Sequence, residues 1–578
     1  MSAGAPVRPA SPLKSFVTAL AAPQPKAPRM IGAVTYVIGF LDILLGVQQT
    51  MRVRLRGLGS VVPGTLGDAA SAATVVTGVL LILLAHGLRR RKRRAWRTAV
   101  ILLGVSVVLH SLRLHWVIAA ASLVTVLVFL MYRRQFYALG DPATRWRASW
   151  AFVGLFTTST VIGMAALSLN RHEIVGGWPG PWVVLQHVWL GFIGVAGDLE
   201  MHHDRYDSII SALLLGLGLM TGLTTLYLAL RSFEPRPHLT PDDQARLRGL
   251  LRSSPDSLGY FNLRKDKSVV WSDSGKAGVV YRVVNGVMLA SGDPIGDPEA
   301  WPGAIRSFLS MAESHAWTPA VLGCSERAGL AWCRDTGFSA MELGDEAIID
   351  ATAFSLEGRA MRNVRQMVNR IRRAGYDTQV CRVRELSPDV RLRTLADAAH
   401  WRSSETERGF SMALGRTADP LDPDAVLVTA SHQGMVRGIL QFVPWGTRGM
   451  SLDLMRRDAH AEPGINELLI SAALEAAPTL GVERVSLNFA VFRSVLERGE
   501  KLGAGPLVRA WRKVIIFASR WFQIESLYRF NAKFHPAWNP RFLIYPGARH
   551  IARVAVAALE AEAFLVWPSL RPLGGGGG

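Results

Sequence analysis

The chain has 578 residues, 49% of them hydrophobic, with a formal net charge of +20 and a pI of about 10.5. A soluble basic protein is rarely this apolar and a membrane protein rarely this charged, so neither class alone accounts for the composition, and the charge implies a polyanionic partner, anionic lipid or nucleic acid. The three cysteines, Cys324, Cys333 and Cys381, are loosely spaced and odd in number, which fits reduced cytosolic thiols and argues against a disulfide framework or a zinc site.

Residues 1–29 are rich in Pro and Ala with scattered cations and read as a disordered cytosolic tail. From there to residue 231 the sequence reads as a transmembrane domain. Apolar stretches of roughly spanning length occur at Ile31–Gln49, Ala69–His86, Thr98–Leu112, Trp116–Tyr132, Trp150–Leu169 and Ile209–Leu230. A seventh, Trp182–Ala196, is shorter and follows a Gly/Pro-rich run. The dense cations from Arg89 to Arg97, and a second group at Arg133, Arg134, Arg145 and Arg147, place both loops inside. Six crossings, with Trp182–Ala196 re-entrant or interfacial, then put the second half in the cytosol; this arrangement leaves Arg52, Arg54 and Arg56 outside. Asp42 stands inside the first span, where an acid is expensive and expects a partner. Asp198, Glu200, His202, His203, Asp204 and Asp207 form either a metal or proton site or a plain polar loop.

Residues 232–256 read as a linker and a helix, Leu239–Ser253, with Thr240 as its cap. Beyond it strands and helices alternate. Val269–Trp271, Gly278–Val284 and Gly286–Ser291 are predicted strands, the last two joined by an Asn285-Gly286 turn. Trp301–His315 is a predicted helix and Ala320–Gly323 a buried strand. Val426–His432, Val436–Pro444 and Gly449–Leu454 are predicted to form an antiparallel meander, followed by a helix over Glu462–Leu480 and a strand over Val482–Phe489. The boundaries expected are 257–355 for a first acetyltransferase-like unit, 356–376 for a basic connecting helix, 377–547 for a second unit, and 548–578 for a C-terminal helix and flexible tail. Neither unit has a Gly-rich turn at a helix start to cradle a pyrophosphate, so coenzyme A is disfavoured and no cofactor is expected.

In the connecting helix Met361, Val364, Val368 and Ile371 supply an apolar stripe. Arg362, Arg365, Arg370, Arg372 and Arg373 are offset within that segment only by Glu357. The alternatives are a solvated helix face and a polyphosphate surface, for which the acceptor arm of tRNA is a candidate.

Arg362-Asn363-Val364-Arg365, Arg372-Arg373-Ala374-Gly375-Tyr376, Trp401, Glu407-Arg408-Gly409-Phe410-Ser411-Met412, Ser451-Leu452-Asp453-Leu454-Met455-Arg456-Arg457 and Phe530-Asn531-Ala532-Lys533-Phe534 with Pro536, Trp538, Pro540, Arg541 and Phe542 occur in the order of a known family. Over roughly Leu239–Pro546 the chain resembles the synthase domain of the phosphatidylglycerol lysyltransferases, the multiple peptide resistance factor family. The resemblance implies two tandem N-acetyltransferase-like α/β folds, which follow the N-terminal all-α transmembrane bundle read from the apolar runs. It also implies transfer of an aminoacyl group, typically lysyl, from aminoacyl-tRNA to a glycerol hydroxyl of phosphatidylglycerol at the membrane. Two departures stand out. The membrane half is smaller than the family's full arrangement with its lipid flippase module, and Asn488 and Val491 replace expected Gly-rich and Pro-containing sequence.

The reaction is an ester exchange, for which positioning and oxyanion stabilisation suffice. No Gly-x-Ser-x-Gly elbow or Ser/His/Asp order is present, so direct transfer is expected over a covalent acyl-enzyme. Expected catalytic residues are Asp453, Arg456, Lys533 and Arg541, with Asp453 facing the ammonium groups of a lysyl donor and Arg541 a lipid phosphate or the tRNA terminus. Expected substrate-binding residues are Glu405, Glu407, Arg408, Phe410, Asn488 and Arg529. His535 is a general base by type or an ordinary turn residue. Leu507–Phe522 reads as an interfacial helix or a core helix. Anionic membrane lipid and a second copy of the chain are further candidate partners. The competing readings are aminoacyl transfer to a non-lipid acceptor and a non-catalytic lipid-binding or transport protein with a degenerate transferase domain.

Overall fold

The computed structural model describes residues 27–55, 77–85, 87–89, 91–112, 116–136, 142–194, 199, 201–230, 235, 237–401, 409–491 and 524–565. The chain divides near Phe233 into two compact units.

The first unit is helical: α1 (Ala27–Leu55), α2 (77–85 and 87–89), α3 (Arg93–Leu112), α4 (Trp116–Met131), α5 (Pro142–Leu169), α6 (Pro181–Phe192) and α7 (Asp204–Leu230). Ser149–Leu169 in α5 and Arg205–Leu226 in α7 are long and apolar enough to cross a membrane, and shorter apolar stretches occupy α1 to α4. Helix α6 has 12 residues, a rise of about 18 Å against a hydrocarbon core of about 30 Å. It packs on α5 and α7. Helices α1 and α2 meet backbone to backbone at Gly39 and Gly78. A Cβ on either residue would stand within 2.7 Å of the other's carbonyl oxygen, the close approach that small residues permit between membrane helices. One turn further on, Asp42 finds the partner its position demands. His110 Nε2 from α3 lies 3.0 Å from Asp42 Oδ1, and the Ser106 hydroxyl donates to Oδ2 at 3.3 Å. All three side chains are buried. His203 Nδ1 lies 2.7 Å from Glu173, and no metal-holding cluster exists among the described residues. Asp198 and Glu200 of the expected polar cluster lie outside the described residues.

The second unit is built on one mixed sheet. Helix α8 (Pro241–Leu251) starts where its sequence directs: Thr240 accepts from Asp243 N–H and Asp243 returns the bond, a closed capping box. Strands β1 (Ser268–Trp271), β2 (Ala277–Val284) and β3 (Val287–Ser291) form a meander. Its second turn, Asn285-Gly286, holds φ of +50° and +68°, the pair of left-handed residues a two-residue hairpin needs. The short β4 (Ile295–Gly296) pairs with β2, and α9 (Trp301–Ser314), β5 (Thr318–Ser325), α10 (Glu326–Thr336) and β6 (Ser339–Asp350) complete the first half. The second half repeats the plan with α11 (Arg362–Arg373), β7 (Tyr376–Arg382), α12 (Pro388–His400), β8 (Val426–His432), β9 (Met435–Trp445), β10 (Gly449–Arg457), α13 (Ile465–Ala476), β11 (Arg484–Val491), α14 (Ile524–Ala532), β12 (Ala537–Tyr545) and α15 (Ile551–Ala561).

The strand order is β1-β2-β3-β5-β12-β6-β11-β10-β9-β8-β7. The last strand of each half has crossed into the other: β12 pairs with β5, and β6 pairs with β11. Strand β12, which falls within 377–547, thus stands between β5 and β6 of the first half. Helix α15 follows it there and buries Val554, Ala557 and Ala561 against Val287, Leu289 and Ala320. In the second half α11 and α13 bury Val364, Val368, Ile371, Leu468 and Leu469 against Val428, Leu440 and Val485. Of the four apolar positions expected of the basic helix, it buries Val364, Val368 and Ile371, and Met361 is buried just ahead of its first residue.

Candidate active site

Each half contains one parallel strand pair joined by a helical crossover, β3 with β5 and β10 with β11. In open α/β sheets ligands sit at the carboxyl ends of such strands. The two ends differ sharply. In the first half the ladder runs from Val287–Thr318 to Ser291–Leu322 and is then stitched further: Gly292 N–H donates to Leu322 O at 2.9 Å, and Asp293 accepts from the Ser325 N–H and hydroxyl at 2.7 and 2.6 Å. In the second half only Gly449–Ser451 pair with Arg484–Ser486. Beyond them both strands carry a bulge, between Leu452 and Leu454 on β10 and between Ser486 and Phe489 on β11, and a bulge bends its strand away from its neighbour. The open crevice is therefore between β10 and β11.

Asp453 is the bulged residue of β10. Its Oδ1 accepts from Leu414 N–H at 2.7 Å and its Oδ2 from the Gln441 amide at 2.6 Å. Gln441 also donates to Arg416 O at 2.9 Å and accepts from Ala418 N–H at 2.6 Å, so one carboxylate and one carboxamide position the loop 409–418 over the crevice. From the facing strand, Asn488 has φ +68°, a left-handed conformation that Asn tolerates better than most residues. Its amide donates to Leu452 O at 2.6 Å and Met412 O at 3.3 Å, while its Oδ1 is buried with no hydrogen-bond partner among the described residues. The replacement of an expected glycine thus preserves the backbone that glycine would serve. Asn531 on α14 donates to Leu487 O at 3.4 Å from behind the same bulge.

The other expected residues distribute as follows. Lys533 follows the end of α14, half-exposed, with Nζ 2.8 Å from Glu467 Oε1. Arg456 donates to the Ala398 carbonyl at the end of α12. Arg529 is exposed on α14. Glu405, Glu407, Arg408 and the segment Leu507–Phe522 lie outside the described residues. His535 is an exposed turn residue with φ +50° and its Nε2 3.3 Å from Ala360 O.

Two expectations are corrected. Phe410 is no substrate contact: its ring is fully buried against Val284, Leu289 and Val554, because Glu562 at the end of α15 accepts from Phe410 N–H at 2.6 Å and Ser411 N–H at 3.0 Å and draws the loop inward. Arg541 is no free phosphate ligand. Its guanidinium is 4% exposed and bonded to Glu346, to Asp256 Oδ1 at 2.7 Å, and to the Ser257 hydroxyl at 2.6 Å. Burial opposes the Arg541 charge, but Glu346 and Asp256 outweigh it and hold the group above its ordinary range. Asp293 beside this cluster is pushed up to about 7, by burial first and by Asp256 second. Arg541 is thus the counter-ion of a buried carboxylate cluster.

On the basic helix, Arg370 lies 3.6 Å from Glu462 and Arg372 2.8 Å from Glu475, acids from other segments that the local sequence does not reveal. Arg365 donates to the Leu356 and Gly358 carbonyls. Arg362 and Arg373 are exposed and make no ion pair among the described residues. The residues that sequence reasoning missed, Gln441, Glu346 and Glu562, left one usable signal each: a polar or acidic side chain inside an otherwise apolar run.

A helical membrane unit with two interlocked N-acetyltransferase-like halves, one parallel pair stitched by its backbone and the other bridged only by the Asn488 side chain, defines a membrane protein with a tandem acyltransferase-like domain. Residues 248–545, more than half of the chain, match the family model described as phosphatidylglycerol lysyltransferase, C-terminal, and the chain belongs to that family. Residues 24–227 match the transmembrane region of lysyl-tRNA synthetase, which accounts for a membrane half unlike the larger one expected from the resemblance. The chain is 38% identical over 553 residues to the lysylphosphatidylglycerol biosynthesis bifunctional protein LysX of Rhodococcus opacus, covering 94% of this chain and 49% of that protein. It is 41% identical over 510 residues to the LysX of Nocardia farcinica, covering 86% and 44%. The chain therefore spans about half the length of these relatives. The solved structure of L-PGS from Bacillus licheniformis is similar at 22% identity with a TM-score of 0.49, covering 58% of this chain and 99% of that one.

Proposed function

We propose that the chain transfers a lysyl group from aminoacyl-tRNA to phosphatidylglycerol by direct transesterification in the β10–β11 crevice, on the cytosolic side of a multi-pass membrane domain. The observation that carries this reading is the early divergence of β10 and β11, where Asp453 holds Leu414 N–H and the Asn488 amide reaches from β11 to Leu452 O on β10. The lipid hydroxyl oxygen attacks the aminoacyl carbonyl carbon, the carbonyl–ribose bond breaks, and the proton of the lipid hydroxyl ends on the leaving ribose oxygen. An ester replaces an ester, so the demand on the protein is alignment and charge placement. Asp453, held by Leu414 and Gln441, supplies the negative charge for the lysyl ammonium groups, and Lys533 supplies a cation near the donor's terminal phosphate.

The test gives membranes containing the chain phosphatidylglycerol and tRNA charged with labelled lysine, alanine or ornithine, and measures label in the lipid extract. Lipid label with the lysyl donor, lowered at least a hundredfold by Asp453→Asn in folded protein, is expected. Label confined to the aqueous phase, or no transfer with any donor, overturns the reading.

A further inference from the structure

Beside the crevice a second concavity has been left without a role. A cavity of about 390 Å³ lies between α12, the loop 415–420 and Arg456 of β10. It adjoins the site directly: Leu414, whose N–H is held by Asp453, precedes the lining residue Gly415, and Gln441 bonds both Asp453 and the lining residues Arg416 and Ala418. Arg456 stands three residues beyond Asp453 on the same strand, about 10 Å at strand rise.

The chemistry of the walls is mixed in an uncommon way. Helix α12 buries Thr394 and lines the cavity with the buried Ala398 and with Leu392 and Leu395, which are 61% and 37% exposed. Set into this apolar wall are three arginines. Arg416 is saturated by Asp422 and the Leu263 carbonyl. Arg456 is fixed to Ala398 O. Arg391 is half-buried, and its guanidinium makes no hydrogen bond or ion pair among the described residues. Asp419 also lines the cavity, 3.9 Å from Arg416, so three arginines face one carboxylate; that net positive charge beside exposed leucines suits a phosphate that carries an acyl chain.

We propose that this cavity seats the phosphodiester of an anionic glycerophospholipid, with Arg391 as its main ligand and Arg456 as the second, and with the first acyl carbons along Leu392 and Leu395. The assignment rests on the proposed transfer reaction and adds to it the seat of the acceptor. A phosphate at Arg456 leaves its headgroup glycerol directed along β10 toward Asp453, where the lysyl carbonyl would be held. The apolar wall favours a lipid over the acceptor strand of tRNA, which would bring phosphates without chains.

The test uses the full chain in membranes and a phosphatidylglycerol carrying a diazirine near the start of one acyl chain, with the labelled peptide identified by mass spectrometry. Labelling of the peptide containing Leu392 and Leu395 is expected. Unlabelled phosphatidylglycerol should compete with it, whereas phosphatidylcholine and inorganic phosphate should not. Arg391→Gln should weaken labelling and raise KM for phosphatidylglycerol about tenfold or more, with kcat and KM for lysyl-tRNA unchanged. Competition by inorganic phosphate alone would make the cavity a simple anion site, competition by uncharged tRNA would assign it to the donor, and absence of labelling would empty it of lipid; each overturns the proposal. Labelling without lysyl transfer would retain the lipid seat and reject the reaction.

Discussion

Lys267 lies fully buried beneath the Phe410 ring, 4.6 Å from its centroid, donating to Phe261 O at 2.9 Å and the Ser291 hydroxyl at 2.8 Å. Burial pushes its ammonium down to about 7, with Asp266 and Glu562 opposing the shift and Arg264 and Arg282 reinforcing it. Because the folded value lies below the unfolded one, the unfolded chain binds more protons between pH 7 and about 10, and stability must rise with pH across that window and be flat below it. Asp293, raised to about 7, acts the other way at lower pH: the folded chain keeps its proton longer, so stability falls from about pH 4 to pH 7. Lys267→Met removes the alkaline arm alone. Between pH 7 and pH 9 the detergent-solubilised wild type should gain about 2–3 kcal/mol over the variant, read from urea unfolding midpoints. Parallel curves would mean that the ammonium stays charged when folded. Neither residue was legible in the sequence as a buried charge. Arg541 shows why: its partners Glu346 and Asp256 lie 195 and 285 residues away, and no local pattern carries that pairing.

At the scale of elements, most of what was legible was local. The Thr240 cap, the Asn285-Gly286 turn and the apolar stripe of α11 depend on residues within four positions of one another, and each stands in the structure as read. Strand β6 escaped because Gly344, Asp345 and Glu346 interrupt its apolar run, two of them acids that are buried; α12 escaped because its leucines face the cavity instead of the core. The charge of α11 was legible but its neutralisation was not, since Glu462 and Glu475 come from other segments. Exposed pairs of that kind contribute about 0–1 kcal/mol; among the described residues Arg362 and Arg373 make no ion pair, and Arg365 bonds only carbonyls. If this face holds the donor, Arg362→Gln with Arg373→Gln should raise KM for lysyl-tRNA while leaving KM for phosphatidylglycerol alone. The dependence of log KM on log salt should become shallower by about 1.5, close to two phosphate contacts. An unchanged salt slope would put the tRNA on another surface and leave α11 a solvated helix.

At the scale of the whole sheet, the exchange of β6 and β12 makes each half depend on the last strand of the other. Strand β12 is the neighbour of β5 on one side and β6 on the other, and Arg541 on it is the counter-ion of Asp256 and Glu346. A chain ending at Ala532 would lose β12 and α15, a nominal end of the second half, yet it would open the middle of the first. Two carboxylates would remain buried without their cation, a defect of about 3–5 kcal/mol from broken pairing alone, and the α15 face of β2, β3 and β5 would be bared. The expected outcome is loss of amide protection throughout β2, β3, β5 and β6, measured by hydrogen exchange on the solubilised chain. A chain ending at Tyr545, which keeps Arg541 and loses only α15, should retain protection in β5 and β6 and lose it in β2 and β3, where α15 packs. Protection of β1–β3 surviving in the shorter chain would show that the halves fold separately and that the strand exchange governs connectivity without coupling their stability.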